Sequence, residues 1–275
     1  GFMDIKFNNV SYLDKLKDIN YIFKEGEITY LIGSSGSGKT LLSYLMLGLV
    51  LPTKGNLSVL GNIIDSNTKD FTYIRRQVGY VFQEPMEEFF TTSVKEEIEF
   101  GLKNNKFKLD KLDKQVASAL KMVGLPLSYL EQNPFTLSGG EREKLAIAIA
   151  LSLNPKVIIL DEPTIYLDDK SIYELVELIK KIKEKYNKTI IIITNDINFV
   201  MKLEGNILLL KKGKVNLNIT SDELLDNIDK LKRSGMEVPP IINFINRCDK
   251  IKNKKFTKTL DIDKLVEEIK NDKQI

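Results

Sequence analysis

The stretch Gly33-Ser34-Ser35-Gly36-Ser37-Gly38-Lys39-Thr40 decides the fold. It matches the phosphate-loop spacing G-x-x-x-x-G-K-[ST], whose four fixed positions arise by chance in roughly one chain of this length in a hundred. Its flanks fit as well. Glu27–Ile32 reads as a buried strand running into the loop, and Lys39–Leu49 as a helix leaving it. Glycines let successive backbone N–H groups converge on an anion, and a helix N-terminus adds positive partial charge. In that setting Lys39 neutralises the outer phosphates of a nucleotide, the Thr40 hydroxyl ligates Mg²⁺, and Leu41 follows on the helix.

Further along, Val157-Ile158-Ile159-Leu160-Asp161-Glu162 is an apolar run ending in two carboxylates. An apolar strand followed by an acid is usually structural. Downstream of a phosphate loop, however, Asp161 is placed to hold the Mg²⁺ shell at a strand's carboxyl end, and Glu162 to polarise an attacking water. Strand-like and helix-like periods alternate around this core: Val78–Phe82, then helical stretches near Val94–Leu102 and Asp110–Val123. The rhythm resumes with Ser171–Tyr186 as helix and Thr189–Thr194 as strand, and ends in a hairpin, Ile207–Lys211 and Lys214–Leu217, turning at Gly213. The expected fold class is α/β on a mostly parallel sheet. Beyond Thr220 the chain turns rich in lysine and asparagine, with helical pieces at Ser221–Leu231 and Asp261–Lys270.

Composition narrows the function classes. With 275 residues, the chain can bury one sizeable domain plus an appendage. No apolar run approaches the roughly 20 residues of a membrane-spanning helix, so work at a membrane would require docking on another protein's helices. The net charge of +3 arises from 41 basic and 38 acidic residues interleaved along the chain, which argues against a nucleic-acid partner. The densest basic run, Lys250, Lys252, Lys254 and Lys255, reads as a solvated face. The single cysteine, Cys248, excludes an internal disulfide and fits a reducing compartment. No signal peptide is apparent, and Gly1-Phe2 ahead of Met3 reads as an expression remnant.

Leu137-Ser138-Gly139-Gly140-Glu141 is the most diagnostic segment. Ser138 is a good N-cap, and the glycines leave N–H groups open at the start of a helix over Glu141–Leu153, a second anion site in a chain that already has one. The segment resembles the signature motif of the ATP-binding cassette family. Other motifs of that family follow in order: Gln83 in Val81-Phe82-Gln83-Glu84-Pro85 resembles its Q-loop, and Glu162-Pro163-Thr164 then Leu167-Asp168 resemble its second acidic motif and D-loop. The resemblance spans about residues 3–220. It implies a mixed sheet with an inserted helical subdomain near residues 84–136, followed by a helical extension over 221–275 that could serve dimerisation. It also implies that two cassettes, identical or different, pair head to tail so that each signature closes over the other's ATP. Gln83 would ligate Mg²⁺ and adjoin the groove for a transmembrane subunit. The placement implied is peripheral, on the cytoplasmic face of the cell membrane.

A narrower resemblance is carried by Val78–Pro85, by Glu88-Phe89-Phe90-Thr91-Thr92-Ser93-Val94, and by Leu224-Leu225 followed by Met236-Glu237-Val238-Pro239. These segments are similar to cassettes of energy-coupling-factor importers, which take up vitamins or transition-metal ions. Three features depart from the pattern. The family places a histidine against the γ-phosphate where this chain has Thr194-Asn195-Asp196, and the chain contains no histidine. Asn195 can donate a neutral hydrogen bond but cannot titrate near neutral pH. A site that binds ATP but hydrolyses it slowly, working beside a complete partner site, is therefore expected. Val10-Ser11-Tyr12 resembles the start of the adenine-stacking loop, but the usual aromatic would fall on Asp14, which leaves Tyr12 as the candidate. The D-loop carries Ile165-Tyr166 where small residues are common.

Competing readings are the cassette of another transporter, a soluble cassette of translation or repair, and a nucleotide switch without useful turnover. Translation-type cassettes usually occur as tandem copies, and this chain has one. Repair-type cassettes separate loop and signature by long coiled coil, absent between Lys39 and Ser138.

Overall fold

The computed structural model describes residues 1–272 except Glu88 and Lys106, and at Met86 and Leu109 the backbone alone. Glu88, part of the narrower resemblance, thus lies outside the described residues. The elements up to the late hairpin are β1 (Ile5–Tyr12), β2 (Leu16–Phe23), β3 (Ile28–Ile32), α1 (Lys39–Met46), β4 (Lys54–Val59), β5 (Asn62–Ile64), α2 (Thr72–Gln77), β6 (Val78–Val81), α3 (Val94–Asn104), α4 (Leu112–Val123), α5 (Gly139–Leu151), β7 (Val157–Asp161), α6 (Asp169–Tyr186), β8 (Thr189–Ile193), α7 (Ile197–Val200), β9 (Asn206–Lys211) and β10 (Lys214–Thr220). The tail adds α8 (Ile228–Arg233), α9 (Pro240–Lys252) and α10 (Ile262–Lys270).

Two sheets form. The larger runs β10-β9-β3-β8-β7-β6, parallel throughout except for the antiparallel β9–β10 hairpin. Its inner strands are apolar at nearly every position because both faces are covered. Tyr30, Ile32, Ile158, Leu160, Ile190 and Ile192 point into one core, packed by α3–α6 and the tail. Leu31, Ile159, Ile191 and Ile193 point into the other, with Leu42, Leu45 and Met46 of α1. The period-2 alternation of strand side chains produces this division.

The second sheet, β2-β1-β4-β5, is antiparallel and closes the α1 core from the far side through Ile5, Phe7, Val10, Leu16 and Leu57. Sequence reading did not anticipate it. Its strands bury one face only, and β1 carries register shifts after Phe7 and Val10 that blur the alternation. Also unanticipated were α2 and α9, and the 221–231 stretch breaks into short 3₁₀ turns before α8 rather than one helix. Among the described residues no helix is long and apolar enough to cross a membrane.

Candidate functional site

Four parallel strands end at the same edge, and each delivers one residue there. Ile32 of β3 leads to Gly33, Val81 of β6 to Gln83, β7 ends in Asp161, and Ile193 of β8 leads to Asn195. Gln83, Asp161 and Asn195 line a cleft of about 430 Å³, with Lys15, Lys39 and Glu162, while Gly33 and Ser34 lie outside its lining. Ser35, Gly36, Ser37, Gly38, Thr40 and Leu41 line the same cleft. It lies where ligands of open α/β sheets bind, beyond the carboxyl ends of the strands.

The loop itself is tightly held. Gly33 sits at φ +151, and a Cβ there would lie 2.5 Å from both the Leu210 carbonyl oxygen and Ser37 Oγ. Gly38 caps α1 at φ 107. The Lys39 ammonium donates to the Gly33 and Ser34 carbonyls. Burial pushes its pKa down, while the nearby Glu162 and Asp161 carboxylates pull the other way. Ser37 Oγ is buried without a hydrogen-bond partner among the described residues, an orphan that a phosphate oxygen would satisfy.

The acidic pair is equally constrained. Burial is the main effect on both Asp161 and Glu162 and raises their pKa, opposed by Lys39 in each case. Glu162 adopts φ 46, unusual for a non-glycine residue and a marker of backbone held in place by its surroundings. Its N–H donates to the Ile193 carbonyl at 2.8 Å. The Asn195 backbone amide works against the rise that burial causes, drawing the Glu162 pKa down, and Asn195 Oδ1 accepts the Gly33 N–H at 3.2 Å.

The donor set suits Mg²⁺. A hydroxyl, an amide and one carboxylate are hard oxygen ligands, and this ion is held by one or two carboxylates plus substrate phosphates rather than by a protein cage. Among the described residues no group of three or more acidic, cysteine or histidine side chains is arranged as such a cage.

The signature segment lies apart from the phosphate loop. Ser138 Oγ accepts the Glu141 N–H and Glu141 Oε1 accepts the Ser138 N–H, a reciprocal capping box at the start of α5. A hydrogen bond from Tyr129 holds the Glu141 pKa down. Gly139 lines a second cleft of about 360 Å³, with Gln83, Glu162 and Tyr166. Gly140 backs onto α6, where a Cβ would meet Ser171 Oγ at 2.6 Å. Asp168 caps α6, accepting the Ser171 N–H at 2.8 Å, and lines neither cleft.

Tyr12 closes β1 half-buried against the α1 core, and the phosphate cleft takes Lys15 rather than Tyr12 into its lining. Sequence reasoning missed Lys15, which lies in a turn of no recognisable pattern. It also missed Tyr80, whose hydroxyl donates to Asp161 Oδ2 at 2.9 Å. The strand alternation that put Tyr80 and Phe82 on one face of Val78–Phe82 was the available signal.

This fold and site define an ATP-binding cassette, and comparison with known proteins agrees. The chain belongs to the ABC transporter family, whose model matches residues 16–165, and is an ABC-type ATPase. It is 35% identical over 257 residues to the energy-coupling factor transporter ATP-binding protein EcfA2 of Ligilactobacillus salivarius, covering 92% of this chain and 89% of that protein. It is also 35% identical to EcfA1 of Staphylococcus aureus over 241 residues, covering 86% and 88%. Among solved structures it resembles cbiO1 of Clostridium perfringens, described as part of the ABC transporter complex cbiONQ, with TM-score 0.76, 31% identity, and coverage of 88% of this chain and 98% of that one. It further resembles a dimeric bacterial ABC transporter cassette, MJ0796, with TM-score 0.68, 33% identity, and coverage of 79% and 98%.

Proposed function

We propose that this chain is the ATP-hydrolysing subunit of an energy-coupling-factor importer that takes up a vitamin or a transition-metal ion. In this reading it sits on the cytoplasmic face of the membrane, paired with a second cassette and bound to a transmembrane subunit through the groove beside Gln83. The convergence of Gly33, Gln83, Asp161 and Asn195 at the strands' carboxyl ends carries the reading. The similarity to two energy-coupling-factor ATP-binding proteins over most of the chain supports its importer part.

The backbone N–H groups of Gly33–Thr40 cradle the phosphates of ATP, and Lys39 neutralises the outer two. Mg²⁺, when bound by Thr40, Gln83 and, through water, Asp161, would offset charge on the outer phosphates and align them. Glu162 holds the attacking water and accepts its proton, and burial keeps this carboxylate more basic than in solution. Because Asn195 Oδ1 is occupied by Gly33, its NH₂ group is the part left to donate to the γ-phosphate. Gly139 of the signature lines a second cleft, bordered like the first by Gln83 and Glu162, and none of Ser138–Glu141 lines the phosphate cleft itself. The signature's exclusion from the phosphate cleft supports head-to-tail pairing, in which a partner's signature excludes water from this chain's ATP.

Phosphate release, measured for the chain alone and with its partner subunits, tests the proposal. Hydrolysis that rises on assembly supports a transport engine. Nucleotide binding with no turnover in either state would leave the nucleotide-switch reading, which the neutral Asn195 favours.

A further inference from the structure

Asp161 has a neighbour that the mechanism above does not use. Tyr80 lies on β6, the strand beside β7, and its hydroxyl donates to Asp161 Oδ2 at 2.9 Å. On its other side the same hydroxyl lies 3.5 Å from Ser43 Oγ, a fully buried group on α1. Ser43 Oγ donates its proton to the Thr40 carbonyl at 2.6 Å. A serine hydroxyl and a tyrosine hydroxyl carry one proton each. With the Ser43 proton on Thr40, the Tyr80 proton belongs to Asp161 and the 3.5 Å approach is a packing contact.

The ring is fixed as well. It packs against the α1 core and meets Phe82 at 4.6 Å between centroids, immediately before Gln83. Tyr80 therefore touches Asp161 directly and reaches toward Thr40 only through Ser43, while its ring packs on the residue preceding Gln83.

We propose that Tyr80 is a positioning residue for the magnesium shell, orienting the Asp161 carboxylate so that its other oxygen faces the cleft. A carboxylate with one oxygen tied loses the rotation that would otherwise have to be frozen when the ion and its waters bind. Partners of this kind behind a ligand commonly change metal affinity by about ten- to a hundredfold. A phenylalanine at this position would fill the same space and leave Asp161 free to turn. The inference rests on reading this cleft as a magnesium–nucleotide site.

The test compares full-length protein with Tyr80→Phe, each titrated with a fluorescent, non-hydrolysable ATP analogue in Mg²⁺ and in EDTA. Wild type should bind in both conditions and bind more tightly with Mg²⁺. Tyr80→Phe should keep the EDTA affinity within about twofold and lose on the order of tenfold of the Mg²⁺-dependent gain. Thermal melting of both proteins with the analogue, in Mg²⁺ and in EDTA, gives a second readout. The extra stabilisation contributed by Mg²⁺ should shrink in Tyr80→Phe even if its baseline melting point has moved. A Mg²⁺ gain equal to wild type, or parallel losses in both conditions, would overturn the role of Tyr80 alone. Absence of nucleotide binding by wild type would overturn the magnesium–nucleotide site and the Tyr80 role with it.

Discussion

Asn195 Oδ1 accepts the backbone N–H of Gly33 across 3.2 Å, so the residue standing where related cassettes carry a histidine is tied to the first glycine of the phosphate loop. Against the rise that burial causes, its backbone amide meanwhile draws the Glu162 pKa down. One asparagine thus links the loop that cradles phosphate to the acid that handles water.

Replacing Asn195 by histidine should raise turnover in the assembled complex, on the order of tenfold, because a charge-assisted hydrogen bond is about twice as strong as a neutral one. It should also introduce a pH dependence near 6.5, the ordinary histidine range, into a chain that has no histidine. Phosphate release across pH 5.5–8 checks both effects, and unchanged turnover would show that asparagine already suffices.

Glu162→Gln should cut hydrolysis by about 10²–10⁴ while leaving ATP binding intact, since an amide can hold a water but not take its proton. The ATP-bound pair of cassettes should then persist, as read by sedimentation with and without Mg·ATP. Normal hydrolysis by this variant would remove Glu162 from its assigned role.

Gly33→Ala should abolish nucleotide binding. The new Cβ would stand 2.5 Å from the Leu210 carbonyl, which is sheet backbone and cannot turn aside. The loop must shift, and with it the Gly33 N–H that Asn195 accepts. Calorimetry with ATP reads the loss, and melting should fall by the several degrees that about 1–3 kcal/mol implies.

Lys188, only 4% exposed, donates to Asn154 Oδ1, and burial together with Lys156 pushes its pKa down to about 8. Its unfolded value is about 10.4. Below pH 8 both states are protonated and the folded state bears the full cost of a buried ammonium. Between about 8 and 10.4 the unfolded chain binds more protons, so stability rises with pH across that window. Relative to Lys188→Met, wild type should therefore gain up to about 3 kcal/mol from pH 7 to 10.5, measured by urea unfolding. A difference that is flat with pH would remove the buried charge from the account.

The site was legible where its chemistry is local. Gly33–Thr40 pairs a backbone demand with a side-chain demand inside one short segment, so its spacing exposes it, and Asp161–Glu162 and Ser138–Glu141 become readable once that loop is found. Contacts between segments were not legible. Tyr80 meets Asp161 across 81 residues of chain, and only the parallel pairing of β6 with β7 brings them together. The antiparallel sheet escaped for a related reason. Stretches such as Ile5–Tyr12 and Lys54–Val59 bury one face, mix asparagine and lysine into the other, and gain their order from partners far away in sequence. Tyr12, the adenine-stacking candidate, closes β1 against β2 opposite Leu16 with its ring half-buried on the α1 core.

The central claim is that this cassette drives an importer, and its most direct test is recovery from the native membrane. The protein is tagged in its own cell, membranes are solubilised gently, and the co-purifying chains are identified. The account predicts a second ABC cassette together with a multi-helix membrane protein, and a substrate-binding membrane subunit that identifies the cargo. Recovery of this chain alone, or of ribosomal or DNA-repair proteins in place of membrane subunits, would contradict it.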